Sequence, residues 1–368
     1  MGLTPIPQKT PEEDVGRNCK HFGPLRMLKV HILFEFKEGP WGGGNQFLKS
    51  LKKYLHSMGA YDENVATAQV ILFNSHQCIG KVVKAKLDHP EKTFIHRIDG
   101  PIRLYNQTND KRDNVVFTAN RYLADATVFQ SDWSRQQNHR LGLHQKSFEM
   151  IIPNAPEPTI FNRRGKIPFS TQRRVRLIAT SWSPNWKKGF QVYQWLDENL
   201  DFNKYEMLFV GKSPIPFKNI RRICPLSSKD IAEKLKESDI FIFASPIEAC
   251  SNSLLEALHC GLPTVGPDQS STPELIGRGG ETFSRPGEIP DLLEKIAKNY
   301  YGYQTNIYNP SIEEVGKRYY DFMTRVESAK EKPRSFDWTG RIRVQAAVAA
   351  WKLSERLSNI AGTFKSSK

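Results

Sequence analysis

Short apolar runs alternate with amphipathic segments along the first half of the chain. An apolar run at residues 27–36 (MLKVHILFEF) predicts a buried strand, and the segment 45–55 predicts a helix because Phe47, Leu51 and Leu55 share one helical face. Further short strands are predicted, separated by helical or polar segments, at residues 70–74, 93–97, 115–117 and 127–131. Strands that alternate with helices in this way are typical of a parallel sheet covered by helices.

The same pattern starts again in the second half of the chain. A proline-containing stretch at 152–158 (IPNAPEP) and a polar, basic segment at 162–174 precede a new apolar strand at 175–180. Helices and strands then alternate, with predicted helices at 189–200, 228–237 and 252–260 and predicted strands at 205–210, 240–244 and 264–265. In open parallel sheets ligands bind beyond the carboxyl ends of the strands, so two facing sheets predict one site between them.

These patterns predict an α/β protein of two doubly wound, Rossmann-like domains that face a central cleft. We expect a polar tail over residues 1–24, a first domain over 25–165 and a second domain over 166–335. An amphipathic, alanine-rich segment predicts a last helix at about 340–360, which packs back onto the first domain. The length of 368 residues agrees with two domains, because single cores stop growing at about 250 to 300 residues.

Composition agrees with a globular protein that has no membrane span. Hydrophobic residues make up 39% and charged residues 25%, which is ordinary for a globular domain. No run approaches the roughly 18 uncharged apolar residues of a membrane helix, and the first residues contain no apolar stretch for a signal peptide. Five scattered cysteines without CxxC spacing indicate neither a disulfide framework nor a zinc site. We therefore expect a cytoplasmic protein.

The net charge of +14 indicates an anionic partner. Candidates are a nucleotide, a phosphorylated acceptor, a membrane surface or a nucleic acid. Residues 1–165 and residues 166–368 each carry an excess of seven positive charges, so the excess is not concentrated on one element. No helix-turn-helix, zinc-finger or RNA-binding motif is present, which disfavours nucleic acid. Peripheral contact with the inner face of a membrane is compatible with this charge.

The most informative segment covers residues 239–267 (DIFIFASPIEACSNSLLEALHCGLPTVGP). An apolar strand leads into a loop that contains Glu248, and Ser251 or Asn252 then caps a helix. The N-terminus of such a helix offers free N–H groups and a positive dipole end, which hold a diphosphate without a metal ion. Glu256, just over one turn inside the helix, is placed to accept hydrogen bonds from a ribose diol. Glu248 is placed to contact a transferred sugar.

These residues resemble the signature of retaining glycosyltransferases of family 4, also called glycosyl transferases group 1, which have the GT-B fold. The resemblance rests on Glu248 and Glu256 with seven residues between them, followed by ALHCGLP at residues 257–263. Members of this family transfer a sugar from a nucleotide-diphosphate sugar to an acceptor. The resemblance covers about residues 27–300 and implies neither a metal ion nor a cofactor; the absence of any Asp-x-Asp sequence agrees with that expectation.

Three further segments resemble family motifs in the expected order. The glycines Gly42, Gly43 and Gly44 resemble the glycine-rich loop on the acceptor side, and IPNA at 152–155 resembles the segment before the interdomain linker. Lys188-Gly189 resembles the start of the first helix of the donor domain. A glycine run before a helix also permits close backbone approach to a ligand.

The resemblance implies a role for each matching residue. Lys188 is expected to bind donor phosphate, Glu256 the ribose, and Glu248 the donor sugar near its reacting carbon. The donor is expected to be a nucleotide sugar, and the acceptor a glycan, a lipid-linked sugar or another acceptor. The sequence departs from the family in two places: Ser183 stands where an arginine is usual, and the glycine and the aromatic residue after the first glutamate are replaced by Ala249 and Cys250. Three polar residues are expected to make donor contacts in that loop instead: Ser251, Asn252 and Ser253.

A second polar cluster follows a predicted strand of the first domain, in the segment 94–101 (FIHRIDGP). Arg97 is a candidate phosphate fork on the donor. Asp99 is a candidate contact to acceptor or sugar, and with Glu248 it completes the pair that we expect at the reaction centre. His96 is the weak match to a donor-facing histidine of the family, and we expect it to be structural.

Three alternatives to a glycosyltransferase are compatible with the sequence. A nucleotide-sugar epimerase on the same scaffold would convert a nucleotide sugar without an acceptor. A non-catalytic protein would bind a nucleotide sugar or glycan without turnover, as the missing arginine suggests. A basic module that binds membranes or nucleic acid would be indifferent to nucleotide sugars, and the even spread of charge disfavours it.

Overall fold

The computed structural model describes residues 27–38, 43–105, 110–330 and 338–366, with side chains to residue 357. The first of its two sheets has five parallel strands in sequential order: β1 (Val30–Leu33), β2 (Val70–Asn74), β3 (Thr93–Ile98), β4 (Ala126–Phe129) and β5 (Glu149–Ile151). Five helices connect these strands: α1 (Gly43–Ser57), α2 (Ile79–Asp88), α3 (Ile102–Tyr105), α4 (Arg112–Leu123) and α5 (Asp132–Arg140).

The second sheet has six parallel strands: β6 (Val175–Ser181), β7 (Tyr205–Gly211), β8 (Arg221–Ile223), β9 (Ile240–Ile242), β10 (Thr264–Pro267) and β11 (Gly280–Phe283). Its order is β11-β10-β9-β6-β7-β8, so the chain reverses direction across the sheet between β6 and β9. Ligands bind at such a switch point, beyond the carboxyl ends of the strands. The predicted fold of two Rossmann-like α/β domains is confirmed.

Helices cover the second sheet and then lead back to the first. Around the second sheet lie α6 (Phe190–Asn199), α7 (Ser228–Glu237), α8 (Asn252–His259), α9 (Thr272–Ile276), α10 (Ile289–Lys298) and α11 (Tyr300–Thr305). The last two helices are α12 (Ile312–Ser328) and α13 (Trp338–Ser366). Within the described ranges, none of these helices is both long enough and apolar enough to cross a membrane.

Side chains of the first sheet alternate between two hydrophobic cores. Val70 and Leu72 of β2 face a core that α1 and α12 cover. Ile71 and Phe73 of the same strand face the opposite core, which α2, α4 and α13 cover. A strand with both faces buried has near-continuous apolar sequence, which is why residues 70–74 were predictable without a helical or alternating period.

One predicted strand is helical in the structure. Residues 115–117 lie inside α4, where Val115, Ala119 and Leu123 are buried at helical spacing. Three adjacent β-favouring residues predict a strand when they are read alone, but the longer period of buried positions decides for a helix. The prediction of a strand at 115–117 was therefore wrong.

The chain returns to the first domain earlier than the sequence indicated. We expected residues up to 335 in the second domain, yet α12 packs against α1, and Val315, Tyr319 and Phe322 lie in the core under β1 and β2. The following helix, α13, packs against α2 and α4 on the opposite face of the sheet. Amphipathic spacing predicts a helix here but does not identify the sheet that the helix covers.

Because α1 and α12 are in close contact, we predict that alanine substitution lowers stability at a glycine of this contact but not at an exposed glycine of α2. A Cβ at Gly316 of α12 would lie 2.2 Å from the ring of Tyr54, whereas one at Gly80 of α2 would meet nothing within 4 Å. We expect Gly316→Ala to lower the free energy of unfolding by about 1–3 kcal/mol through overpacking. The same change at Gly80 is expected to be neutral or to stabilise by up to about 1 kcal/mol. Urea unfolding measures both, and equal stabilities of the two variants would contradict the packing argument.

Candidate functional site

A cleft of about 590 Å³ lies between the carboxyl edges of the two sheets. Thr180 and Ser181 at the end of β6 line it, as do Val210 and Gly211 at the end of β7. The loop after β9, which begins at Phe243, forms the neighbouring wall. The opposite wall belongs to the first domain. The cleft therefore occupies the switch point of the second sheet.

Glu248 and Lys188 meet on the second-domain wall of this cleft. The Lys188 ammonium donates to the Glu248 carboxylate, and the Ser245 hydroxyl donates to the same oxygen at 2.9 Å. Both charged side chains stay partly accessible, with 18% of Glu248 and 34% of Lys188 exposed. The ion pair is thus open to a ligand in the cleft.

Gly189 explains how Lys188 reaches this position. Its φ of +85° ends the short 3₁₀ turn Trp186–Lys188 and starts α6. A Cβ at Gly189 would lie 2.0 Å from the carbonyl oxygen of Ala244, just after β9. Only glycine permits this left-handed turn so close to the strand end.

The N-terminus of α8 faces the cleft with free backbone donors. Ser251 is the N-cap, and its hydroxyl accepts from the Leu254 amide at 3.4 Å and lies 3.0 Å from the Ser253 hydroxyl. In the part of the chain that the structure describes, the amides of Asn252 and Ser253 have no hydrogen-bond acceptor. Unpaired N–H groups at a helix start form an anion site.

Glu256 lines the cleft one turn further along α8. Its carboxylate is half-buried, and among the described residues no side chain or backbone group pairs with it. Burial raises its pKa from 4.5 to about 8. A carboxylate that is desolvated without a partner is costly, and donors from a ligand would relieve that cost.

Asn252 contacts the first domain as well as the cleft. Its side-chain amide donates to the Gly43 carbonyl at 2.9 Å and accepts from the Asn154 side chain at 2.8 Å. A Cβ at Gly43 would lie 2.9 Å from this amide, so the glycine permits the approach. Gly43 and Gly44 both line the cleft as the first residues of α1. Gly42 lies outside the described residues.

Asp99 reaches the cleft, but Arg97 does not. The Arg97 guanidinium is fully buried beneath the first-domain wall and donates to Asp99 at 3.0 Å and to Asn154 at 2.6 Å. It also donates to Asn74 and lies 5.0 Å from the Phe47 ring. The expected phosphate fork at Arg97 is therefore corrected: this cation holds first-domain side chains in place. The physical reason is its position within β3, where the side chain points into the core.

Asp99 is held from two sides while part of it stays accessible. Its carboxylate accepts from Arg97 and from the Gln130 amide, and 32% of the side chain is exposed. His96, two strand positions after Phe94 on β3, is buried away from the cleft, contacts the Ser75 carbonyl at 2.9 Å, and stacks on Phe73. Burial lowers the pKa of His96 to about 3. A neutral, enclosed imidazole agrees with a structural role.

Two cleft residues were not found from the sequence. His76 follows β2 and lines the cleft; its Nδ1 is buried and has no hydrogen-bond partner among the described residues. Burial lowers its pKa, and the nearby Arg112 lowers it further. Tyr105 lines the same wall above Gly100, and burial followed by the charges of Asp99 and Glu248 raises its pKa. The rule that functional residues follow strands would have identified His76, because it lies two residues after the strand predicted at 70–74.

Ser183 stands where the resemblance leads us to expect an arginine, and a lysine lies nearby, because the Lys212 ammonium is 5.7 Å from the ring of Trp182, which lines the cleft. Among the described lining residues of the second domain, Lys188 is the one cation, and Ser183 lines the cleft beside Trp182. On the first-domain side Arg112 lines the cleft in a close pair with Asp110. The described residues also contain no group of three or more His, Cys, Asp or Glu side chains arranged to hold a metal ion.

The second domain matches a known family of enzymes. Residues 193–300 match the model of the family described as Glycosyl transferases group 1. The search of curated proteins found no match to this sequence. The matched region includes β9, α8 and both glutamates, and it contains most of the second sheet.

Solved structures share the fold of the whole chain. The catalytic domain of starch synthase IV from Arabidopsis thaliana, bound to ADP and acarbose, has a TM-score of 0.63 at 12% identity over 82% of this chain and 99% of that one. Sucrose-phosphate synthase from Thermosynechococcus elongatus has a TM-score of 0.56 at 11% identity over 91% and 100%. The Anabaena protein HepE, in complex with UDP and glucose, has a TM-score of 0.55 at 12% identity over 82% and 97%.

These likenesses show the GT-B fold, and the expected fold is confirmed. The matched family model supports a glycosyltransferase domain at residues 193–300, whereas the solved structures show the fold alone. At identities of 11–12% they do not extend to the donor, the acceptor or the stereochemistry.

The raised pKa of Glu256 predicts a pH-dependent stability. Between pH 4.5 and about 8 the folded state keeps a proton that the unfolded state has released, so rising pH lowers stability across this window. Glu256→Gln removes the titration. We expect this variant, without ligand, to be more stable than the wild type by up to about 5 kcal/mol at pH 9 and equally stable near pH 4. Urea unfolding at both pH values measures this, and a pH-independent difference would contradict the assigned desolvation.

Proposed function

We propose that this chain is a retaining, metal-independent glycosyltransferase of family 4 type, which transfers a sugar from a nucleotide-diphosphate sugar to a glycan or lipid-linked acceptor. One observation carries the proposal. The open Lys188–Glu248 pair, the free N-terminus of α8 and the unpaired Glu256 carboxylate lie on one wall of one cleft. This combination suits a donor that has a sugar, a diphosphate and a ribose in a row.

The donor fits this wall in one direction. The diphosphate binds the free amides of Asn252 and Ser253 and the Lys188 ammonium. Four residues along a helix correspond to a rise of roughly 6 Å, so Glu256 lies one ribose away from those amides. Its carboxylate accepts hydrogen bonds from the ribose diol. The base then lies towards Leu226 and Ile231, which also line the cleft.

The donor sugar lies towards Glu248 and the first-domain wall. Retention is expected through front-side attack, because the acceptor then approaches on the face that the phosphate leaves. The bond from the anomeric carbon to phosphate oxygen breaks, the acceptor oxygen bonds to that carbon, and the acceptor proton passes to the leaving diphosphate. Lys188 stabilises the charge that develops on the diphosphate, and such preorganised electrostatics supply a large part of enzymatic rate enhancement. Asp99 and neutral His76, on the opposite wall, are placed to orient the hydroxyl groups.

Nucleotide sugars are the donors that the fold relatives suggest. The solved relatives were obtained with UDP and glucose or with ADP. We therefore expect one of the nucleotides UDP, ADP, GDP and CDP, or its sugar conjugate, to stabilise this protein more than the others do, with EDTA present. A ligand at 100 times its dissociation constant raises the free energy of unfolding by about 2.7 kcal/mol, which a thermal shift detects.

Two glutamate variants separate chemistry from binding. Glu248→Gln is expected to abolish sugar transfer and to leave nucleotide affinity largely unchanged, because Glu248 contacts the sugar. Glu256→Ala is expected to weaken nucleotide binding by about tenfold or more, since a hydrogen bond to a charged group contributes about 1.5–3 kcal/mol. Glu313→Gln, on the exposed face of α12, is the matched control. Titration calorimetry with the stabilising nucleotide and a transfer assay measure the two effects.

The outcomes distinguish the alternatives. Equal nucleotide affinity in the wild type and Glu256→Ala would refute the ribose assignment. Selective nucleotide-sugar binding without transfer or hydrolysis would favour the non-catalytic protein, which Ser183 at the position of the expected arginine also suggests. Conversion of the nucleotide sugar without an acceptor would favour the epimerase. The anomeric configuration of the product, measured by NMR, tests retention.

Donor affinity should rise with pH in a way that depends on Glu256. The ionised carboxylate is the better acceptor for a diol, and its pKa near 8 leaves it mostly protonated at pH 6 in the empty cleft. UDP-glucose suits the measurement because its diphosphate diester does not titrate in this range. We expect its dissociation constant to fall by up to about tenfold per pH unit between pH 6 and 8. Glu256→Gln should show a flat profile, and a parallel profile in both proteins would contradict the assignment.

A further inference from the structure

The last helix, α13, uses one face to pack on the first domain. Val344 is 1% exposed, and Ala347, Val348 and Trp351 pack against the core that α2 and α4 share. The Trp351 ring lies 5.3 Å from His76, edge to face. This face alone is enough to explain why α13 is attached to the protein.

The opposite face of α13 is also apolar, and it is exposed. Ile342 is 49% exposed, Leu353 60% and Leu357 59%. At 100° per residue these three side chains lie within roughly 60° of one another, and Leu353 lies half a turn away from Val344. The alanines at 346, 349 and 350 continue the same stripe, and each is exposed. Trp338 is 68% exposed at the start of the helix.

Positive charges flank this apolar stripe. From residue 338 to the end the sequence has one acidic residue, Glu355, and six basic residues: Arg341, Arg343, Lys352, Arg356, Lys365 and Lys368. Arg343 and Arg356 are exposed on either side of the stripe. Glu355 interacts electrostatically with Arg112 of α4 and so belongs to the inner side. The exposed face therefore combines apolar residues with a net positive charge.

We propose that the outer face of α13 binds the surface of an anionic membrane, with the helix axis in the plane of the interface. An apolar stripe flanked by lysine and arginine is the pattern of helices that lie at the boundary between headgroups and acyl chains. Anionic lipids attract the flanking charges. A second copy of the chain is disfavoured as the occupant, because pairing two such faces would bring the same positive charges together.

This orientation also places a second cavity beside the bilayer. A cavity of about 510 Å³ adjoins the cleft and is lined by Val348 and Trp351 of α13 together with Phe34 and Ile79. It shares Asp99 and His76 with the cleft. Since a helix is about 10 Å across, α13 on the membrane holds this cavity within one helix diameter of the lipid surface.

Vesicle sedimentation tests the proposal with the full chain. We expect the wild type to sediment with vesicles of phosphatidylcholine and phosphatidylglycerol, weakly with phosphatidylcholine alone, and less as salt rises. The double variant Leu353→Glu and Leu357→Glu should lose binding to the anionic vesicles by about tenfold or more, because burial of one leucine corresponds to about a decade of affinity. Leu87→Glu on α2, where Leu87 is 40% exposed, is the matched control and should bind like the wild type.

Three further results decide the matter. Equal binding of the wild type and the double variant would overturn the proposal, as would no binding of the wild type to anionic vesicles. If light scattering shows that the wild type is a dimer and the double variant a monomer, and neither binds vesicles, the face would be assigned to a second copy instead. Thermal unfolding establishes that each variant is folded. The increase in unfolding temperature on adding nucleotide shows whether the variant still binds at the cleft, so a failure of membrane binding can be distinguished from a failure of the proposed donor site. If the double variant fails to fold, a second double variant, Arg343→Gln with Arg356→Gln, replaces it. We expect this variant to lose the preference for vesicles that contain phosphatidylglycerol, and an unchanged preference would overturn the proposal.

Discussion

The cleft depends on a small number of hydrogen bonds that hold the two domains together at their facing edges. Asn252 at the start of α8 bonds to the Gly43 carbonyl and to Asn154. Glu274 in the second domain accepts from the backbone amides of Asp132 and Trp133 at 2.8 Å each, which caps the N-terminus of α5. Hydrogen bonds of this kind contribute about 1 kcal/mol each. These bonds tie the start of α8 and the start of α5 to the opposite domain, at the rim of the cleft.

The two walls of the cleft handle charge in different ways. On the second-domain wall Lys188 pairs with Glu248, while Glu256 has no partner among the residues that the structure describes, so this wall carries groups that a donor would satisfy. On the first-domain wall the Arg97 guanidinium lies beneath the surface of the cleft. Buried Arg97 must be paired and hydrogen-bonded, and it meets this demand by bonding to Asp99 and Asn154. The accessible side chains of that wall are thereby preorganised from below.

Asn154 links these two arrangements. Its side chain accepts from Arg97 at 2.6 Å and donates to Asn252 at 2.8 Å, so a buried cation of the first domain connects directly to the start of α8. The last helix adds another link, since α13 lines the second cavity with its inner face and carries an apolar, basic outer face. The proposed donor site, the second cavity and the outer face of α13 thus involve neighbouring elements of the first domain and one helix of the second.

Local patterns in the sequence were sufficient to predict most of the fold and to bring Glu248, Ser251 and Glu256 together, and these three residues line the cleft in the structure. Buried strands and amphipathic helices have periods that lie within a few residues, and Glu248, Ser251 and Glu256 belong to one continuous strand, loop and helix. Tertiary structure decided the rest, because it depends on which elements pack together across long separations. In the structure residues 115–117 are part of a helix, and α12 packs against the first sheet. Arg97 is buried, whereas His76 lines the cleft. The direction of a side chain at a strand end is set by its neighbours on the sheet, and no short stretch of sequence contains those neighbours.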